Sequence, residues 1–332
     1  MSKTQITRRT LIAAVSSAAL LGLTACGGVQ GASKAADYPT KAIEFIVPVA
    51  PGGSTDTLSR AIAKGLSEKL GQPVAVINKP GGGATVGLTE LKNAGADGYK
   101  IGMIPSSPLA VRPLAVKDAT PLSVDDFTVI KALTVEDVVL FTYKDSPVQT
   151  ADDVLALKGK PIKYSSSGAG TVTGTAQAVF FSALGADATG VPFDGGAPAK
   201  TAVLGKQVEV GGAHPGEIAQ EVKAGTLVPL LTFSEERSQF FPDVPTAKEL
   251  GISVAMDQRR FLGAPKNLPQ NVLDKLVEAT ETALKSEDYA QVLKDGYFAR
   301  NETDGATASS DLKANLENYK KQVSSLGVNL GG

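Results

Sequence analysis

From Ile43 onward, short apolar runs rich in β-branched residues alternate with stretches whose apolar positions recur every three or four residues. Strands alternating with helices in this way predict an α/β protein with largely parallel sheets. The first unit is the clearest. Ile43 to Val49 predicts a strand and Ala50 to Thr55 a turn, and Leu58, Ala61, Ile62, Leu66 and Leu70 then fall on one helical face before Gly71 and Pro73 end it. Val74 to Ile77 predicts a second strand, Pro80-Gly81-Gly82-Gly83 a turn into a helix through Leu88 and Leu91, and Ile101 to Ile104 a third strand after the Asp97-Gly98 turn.

A break at Ser146-Pro147 is followed by Thr150 to Asp153, which reads as a capped helix start, and the pattern then begins again. Ile162 to Ser165 is a strand, Ser166 to Thr171 a Gly/Ser turn, and Val172, Ala176, Val179, Phe180 and Leu184 line one face of a helix ending at Gly185. Gly190 to Phe193, with Asp194-Gly195-Gly196-Ala197-Pro198 after it, repeats the unit once more. Thr246-Ala247-Lys248-Glu249 has capping-box spacing before Gly251 and predicts a short helix, and 271–284 and 311–326 are helical by period. The organisation read from this pattern is two lobes of βα units joined by crossing segments near Val138 to Tyr143 and Ser253 to Leu262. Residues 37–142 with 260–332 form the first lobe and 143–259 the second.

Composition changes this picture little: 332 residues, 42% hydrophobic and 20% charged, describe an ordinary globular chain. A formal charge of -1 carries no excess of Lys and Arg for nucleic acid or an acidic membrane surface, so any anion must be held locally. The N-terminus adds more. Lys3, Arg8 and Arg9 precede an apolar run from Leu11 to Leu23 that is short of the roughly 20 residues a membrane span takes, so residues 1–25 read as an export signal. Leu23-Thr24-Ala25-Cys26 resembles the bacterial lipoprotein box, making Cys26 the lipidated first residue of the mature protein and 26–36 a small-residue tether. Arg8-Arg9-Thr10-Leu11 resembles a twin-arginine signal, and an ordinary Sec start stands equally open. As the single cysteine, Cys26 leaves no internal disulfide and no cysteine-ligated zinc site, and no metal or cofactor is expected.

The candidate chemistry lies in the turns. A strand-to-helix turn presents unpaired N–H groups and the positive end of a helix dipole, a place for an anion. Pro51, Gly52, Gly53, Ser54, Thr55 and Asp56 form one such turn, and Ser167, Gly168, Ala169, Gly170 and Thr171 form a second copy in the other half of the chain. Facing each other, the two would hold a ligand with carboxylates at both ends, each end at one helix N-terminus. Gly81-x-Gly83-x-x-x-Gly87 departs from the dinucleotide fingerprint in spacing and lacks its acidic partner. With His214 the only histidine and no Gly-x-Ser-x-Gly elbow, no hydrolytic triad is evident, and the chain is read as a binder and not an enzyme. In Arg259-Arg260, on a crossing segment, Arg259 is the candidate carboxylate clamp.

Several further motifs, in order, carry a resemblance: Tyr38-Pro39, Pro51-Gly52-Gly53-Ser54-Thr55-Asp56, Gly71-Gln72-Pro73-Val74, Asn78-Lys79-Pro80-Gly81, Ala96-Asp97-Gly98-Tyr99 and Phe241-Pro242-Asp243-Val244-Pro245-Thr246. From Tyr38 to the C-terminus the chain resembles the substrate-binding proteins of tripartite tricarboxylate transporters, the TctC or Bug family. The resemblance implies a type II periplasmic-binding fold with a ligand cleft between lobes, and a small carboxylate ligand contacted by Gly52 to Asp56 and Ser167 to Thr171. Ser106 and Ser107 would line the cleft, and a membrane permease would be the partner of a monomeric, extracytoplasmic, lipid-anchored receptor. A ligand-sensing lipoprotein of the same fold, or a cofactor-using α/β enzyme, are the alternatives. Two departures bear on the ligand. The family's His-Leu pair after the second loop is Gly174-Thr175 here, and its Tyr-Lys-Gly is Phe193-Asp194-Gly195. Asp194 in place of a lysine points away from a highly charged tricarboxylate, toward a cation-bridged anion or a ligand with an amine or amide.

Overall fold

In a computed structural model, residues 38–116 and 121–325 are described. The export signal, Cys26 and its tether lie outside the described residues. The elements all fall within the compact unit that begins at Pro39. Its first part is β1 (Ile43–Val47), α1 (Ser54–Leu70), β2 (Val74–Asn78), α2 (Thr85–Lys92), β3 (Lys100–Pro105), α3 (Ser107–Ala110), α4 (Arg112–Ala115) and β4 (Phe127–Glu136). The middle is β5 (Val139–Tyr143), α5 (Ala151–Leu155), β6 (Pro161–Ser166), α6 (Val172–Leu184), β7 (Asp187–Pro192), α7 (Gly196–Leu204), β8 (Val210–Ala213), α8 (Pro215–Lys223) and β9 (Leu227–Thr232). The last part is β10 (Gln258–Pro265), α9 (Gln270–Ala283), α10 (Glu287–Gly296), β11 (Ala299–Arg300) and α11 (Gly305–Ser325).

These strands make two sheets, one in the order β11-β4-β10-β3-β1-β2 and the other β7-β6-β8-β5-β9. The helix-linked strands β1, β2 and β3 run parallel, as do β6, β7 and β8, whereas β10 is antiparallel to β3 and β4, and β5 to β8 and β9. Two lobes with the chain crossing between them twice make this a type II periplasmic-binding-protein fold. The first crossover lies at Asp137-Val138, ahead of the expected boundary at 142, because Val139–Tyr143 pairs inside the second sheet. The return occupies 233–257, after which β10 completes the first sheet.

Burial follows the helical periodicity. Leu58, Ile62 and Leu66 of α1 are fully buried, α1 packs against α9 and α10, and the second lobe is filled by Phe180, Phe181 and Phe233. Phe180 meets both other rings edge-on, at centroid separations of 5.4 and 5.5 Å, a favoured aromatic geometry. The Thr150–Asp153 capping box forms as expected. That of Thr246 and Glu249 also forms, with Glu249 N–H donating to Thr246 Oγ1 and Thr246 N–H to Glu249. It opens a run of turns, and no helix follows: Thr246 itself bridges Thr232, and Gly251, at φ +84, ends the turns.

Candidate functional site

The loop after β1 is built around one carboxylate. Asp56, in the first turn of α1, is 2% exposed and accepts from Gly52 N–H at 2.9 Å, Asn78 Nδ2 at 2.8 Å, and Arg60 Nε and Nη2 at 2.9 and 3.0 Å. Burial pushes this carboxyl up, but the hydrogen bonds from Arg60, Gly52 and Asn78, with the guanidinium charge, outweigh it and hold Asp56 below the ordinary carboxylate range. Its oxygens are thus engaged in shaping the loop, and Asp56 is placed as a positioning residue. The Gly52 amide is spent on Asp56, at a φ of +90 that only glycine adopts readily.

Pro51, Gly52, Gly53 and Ser54 are exposed, and a Cβ on Gly53 would meet nothing within 4 Å. Gly53 is the N-cap of α1, and the N–H groups of the first turn have no intrahelical acceptor, so the turn offers backbone donors beside the exposed Gly53 and Ser54. Behind them lies a charge that the sequence reading passed over. Arg260 of β10 is 4% exposed; its Nε donates to Thr55 Oγ1 at 2.9 Å, its Nη2 reaches Ser54 Oγ at 3.4 Å, and its Nη1 donates to buried Glu136.

Arg259 goes elsewhere. Successive strand residues point to opposite sheet faces, so with Arg260 turned to α1, Arg259 is turned to α11. There it makes a two-pronged pair with Asp257, at 2.9 Å for each bond, beside a cavity of about 410 Å³ that Asp137 and Tyr319 also line. Arg259 is therefore not brought to the α1 loop. A signal for the distinction was present, since two adjacent arginines in a buried strand must part to opposite faces, but nothing in the dipeptide tells which one meets the loop.

Ser106 and Ser107 stand at the end of β3. Ser106 is buried, with its Oγ accepting from Arg259 N–H at 2.9 Å and from Gln258 Nε2 at 3.3 Å; Ser107 Oγ donates to Gln258 Oε1. Both serve to hold β10 against β3, next to Arg260.

In the second lobe, the loop from Ser167 to Thr171 turns its hydroxyls on itself. Ser167 Oγ and Thr173 Oγ1 are 2.8 Å apart, and Thr171 Oγ1 donates to Gly168 O at 2.8 Å while capping α6 through Gly174 N–H at 3.3 Å. Ala169 and Gly170, at the tip, line a cavity with Ala115 of the first lobe. Gly170, at φ +70, lies against α4: a Cβ there would come within 3.2 Å of Val116 Cγ2 and 3.5 Å of Arg112 Cα. The lobes therefore touch at this loop. They touch again where Gly216, in the first turn of α8, faces the Gly296 carbonyl at the end of α10 so closely that a Cβ would collide.

Asp194 is exposed in the loop after β7, joined to the second loop by Phe193 N–H donating to Ser166 O at 3.0 Å. His214 is the N-cap of α8, its amide donating to Glu217 at 2.9 Å and its Nδ1 lying 2.9 Å from the carbonyl of Asp137 at the first crossover. The Gly81–Gly83 run forms a tight turn in the left-handed region before α2. Among the described residues no cluster of His, Cys, Asp and Glu is placed to hold a metal, and no helix is long and apolar enough to cross a membrane. The site as a whole presents oriented N–H donors beyond the C-terminal ends of parallel strands, where open α/β sheets take their ligands.

Known proteins share both sequence and shape. Residues 58–324 match the family described as the tripartite tricarboxylate transporter family receptor, TctC. Protein BugT of Bordetella pertussis is 30% identical over 275 residues, which cover 81% of this chain and 84% of that protein. A solved periplasmic transporter is 30% identical with a TM-score of 0.77, covering 89% of this chain and 100% of its own. MatC from Rhodopseudomonas palustris, solved with bound malate, is 26% identical with a TM-score of 0.74, covering 86% and 100%. With a family match over most of its length and this architecture in common, the chain belongs to the tripartite tricarboxylate transporter family of substrate-binding receptors.

Proposed function

We propose that this receptor captures a small organic carboxylate between its lobes and delivers it to the membrane permease of a tripartite transporter, without chemical change. The observation that carries the reading is the first turn of α1: donors fixed by Asp56, backed by Arg260, and open at Gly53. A carboxylate there gains hydrogen bonds from backbone N–H groups and the helix dipole. Loop residues Ser167 to Thr171, joined to the first lobe through Gly170, would close on its far side, and binding would favour the closed state by whatever contacts that state alone provides. MatC, which shares this architecture, holds malate, a small carboxylate. Asp194, beside the second loop, would accept from an amine, an amide or a bridging cation on the ligand.

The test is thermal unfolding of the purified protein against mono-, di- and tricarboxylates. A ligand at 100 times its Kd stabilises by about 2.7 kcal/mol, which should raise the midpoint by several degrees for one class of carboxylate. No shift with any carboxylate would remove the reading. For the route to the membrane, we propose that Cys26 is lipidated after removal of residues 1–25, making the receptor an extracytoplasmic lipoprotein. Wild-type protein should then sediment with membranes and Cys26→Ser should be released; equal partition of the two would refute the anchor.

A further inference from the structure

Where the first turn of α8 lies on the end of α10, both sides of the contact between lobes are shaped to allow it. The carbonyl oxygen of Gly296 is closer to Gly216 than any Cβ there could tolerate. Gly296 has no room for a side chain of its own, because the Phe298 ring occupies that place. The same ring lies 5.1 Å, at its centroid, from the guanidinium of Arg260, the cation behind the α1 loop. On the other side, the start of α8 is tied to the first crossover by His214 Nδ1, 2.9 Å from the Asp137 carbonyl. The Glu217 carboxylate lies against Gly196 at the start of α7, in the loop that carries Asp194.

Tyr297 follows Gly296 as the C-cap of α10, in the left-handed region at φ 54 and ψ 43. Glycine ordinarily takes that position, and a bulky side chain there is uncommon. Such a backbone cost persists where the surroundings hold the residue in place. Here the ring is held from two sides. Phe240 of the returning crossover meets it edge-on, with centroids 5.4 Å apart and planes at 65°, and Lys223 Nζ of α8 stands 5.3 Å from its centroid. Lys223 comes seven residues after Gly216, on the same face of α8 and about 10 Å along its axis, and its side chain leans back toward the N-terminus. The second lobe thus meets the end of α10 through a close backbone contact at one end of α8 and a cation on an aromatic ring at the other.

We propose that Gly216 and Tyr297 are positioning residues that set the spacing of the lobes. The contact of Gly216 with Gly296 is a bearing beside the crossover, and the Tyr297 ring is a clasp that holds α8 and the returning crossover to the first lobe. The consequence for ligand capture rests on the carboxylate reading above: a receptor that closes on its ligand binds with an affinity scaled by the fraction of molecules at the competent spacing. The spacing itself does not rest on that reading.

Pulsed electron-spin distance measurements on the ligand-free protein test this. Spin labels are placed on cysteines replacing two exposed residues, Glu68 of α1 and Ser182 of α6, one on each lobe, in the Cys26→Ser chain. Tyr297→Gly removes the ring and leaves α10 with the residue its cap conformation favours, so the variant folds. The expected result is one narrow distance distribution in the parent protein and a broader one, with added components, in Tyr297→Gly. Tyr297→Phe keeps the ring and should superimpose on the parent. Gly216→Ala has to open the bearing by roughly 1 Å to reach ordinary contact distance, and should move the mean distance by at least about as much. A Tyr297→Gly distribution that superimposes on the parent would overturn the clasp, and an unmoved mean in Gly216→Ala would overturn the bearing. With no ligand added, neither outcome depends on what the receptor binds. Distances that change as expected in a protein that no carboxylate stabilises would remove the capture reading and leave the positioning roles standing.

Discussion

Arg260→Met should cost about 3–5 kcal/mol of stability, the range expected when one partner of a buried ion pair is removed. Glu136 and Arg260 are 2% and 4% exposed, and the variant leaves the Glu136 carboxylate in the interior without the guanidinium that meets it. The same substitution removes the donor to Thr55 Oγ1 and the cation stacked 5.1 Å from the Phe298 ring centroid. At roughly 2–4 °C per kcal/mol for a chain of this size class, the unfolding midpoint should fall by at least about 6 °C. The companion variant separates charge burial from ligand binding. Arg260→Met combined with Glu136→Leu removes both charges, and such replacements are often neutral or stabilising, so most of the lost stability should return. Carboxylate affinity should not return, because Ser54 and Thr55 remain without the group that orients them. Full affinity in the double variant would make the pair a purely structural feature of the first lobe.

That arginine marks the boundary of what was legible in the sequence. The βα units could be read because period and punctuation agree: α1 ends at Gly71 and α6 at Gly185, both left-handed caps, where the apolar stripes stop. Elements whose signal is tertiary were harder to see. β4, ten residues long, and β10 alternate poorly because both lie inside a sheet covered on its two faces, and β11 is a two-residue pairing. The Thr246 box carried a true local signal for a turn but lacked the following apolar stripe that would extend it into a helix. At the site, the loops themselves were visible as Gly and Ser clusters between a strand and a helix. What each polar side chain does there depends on partners distant in the chain: Asp56 is engaged by Asn78, and Ser106 by Gln258 and Arg259, which no local pattern records.

Gly53→Val should lower carboxylate affinity at least about a hundredfold while changing stability by no more than about 1 kcal/mol. Gly53 has an extended backbone, φ -81 and ψ 173, which a β-branched residue adopts without strain, and its Cβ would enter open space. The fold therefore loses only the modest N-cap preference of glycine over valine. The ligand loses more. The isopropyl group would stand over the first-turn amides, and hydrogen bonds to a charged group are worth about 1.5–3 kcal/mol each, so losing two of them accounts for a hundredfold change or more. Gly170→Val is a poorer probe of the same idea: at φ +70, with Val116 within 3.2 Å of the new Cβ, it would strain the loop and the contact between lobes together. Affinity and midpoint should fall jointly there and separately at Gly53. Titration and thermal unfolding of the two variants side by side make the distinction, and wild-type affinity in Gly53→Val would move the carboxylate away from α1 altogether, leaving the glycine loop as nothing more than the start of a helix.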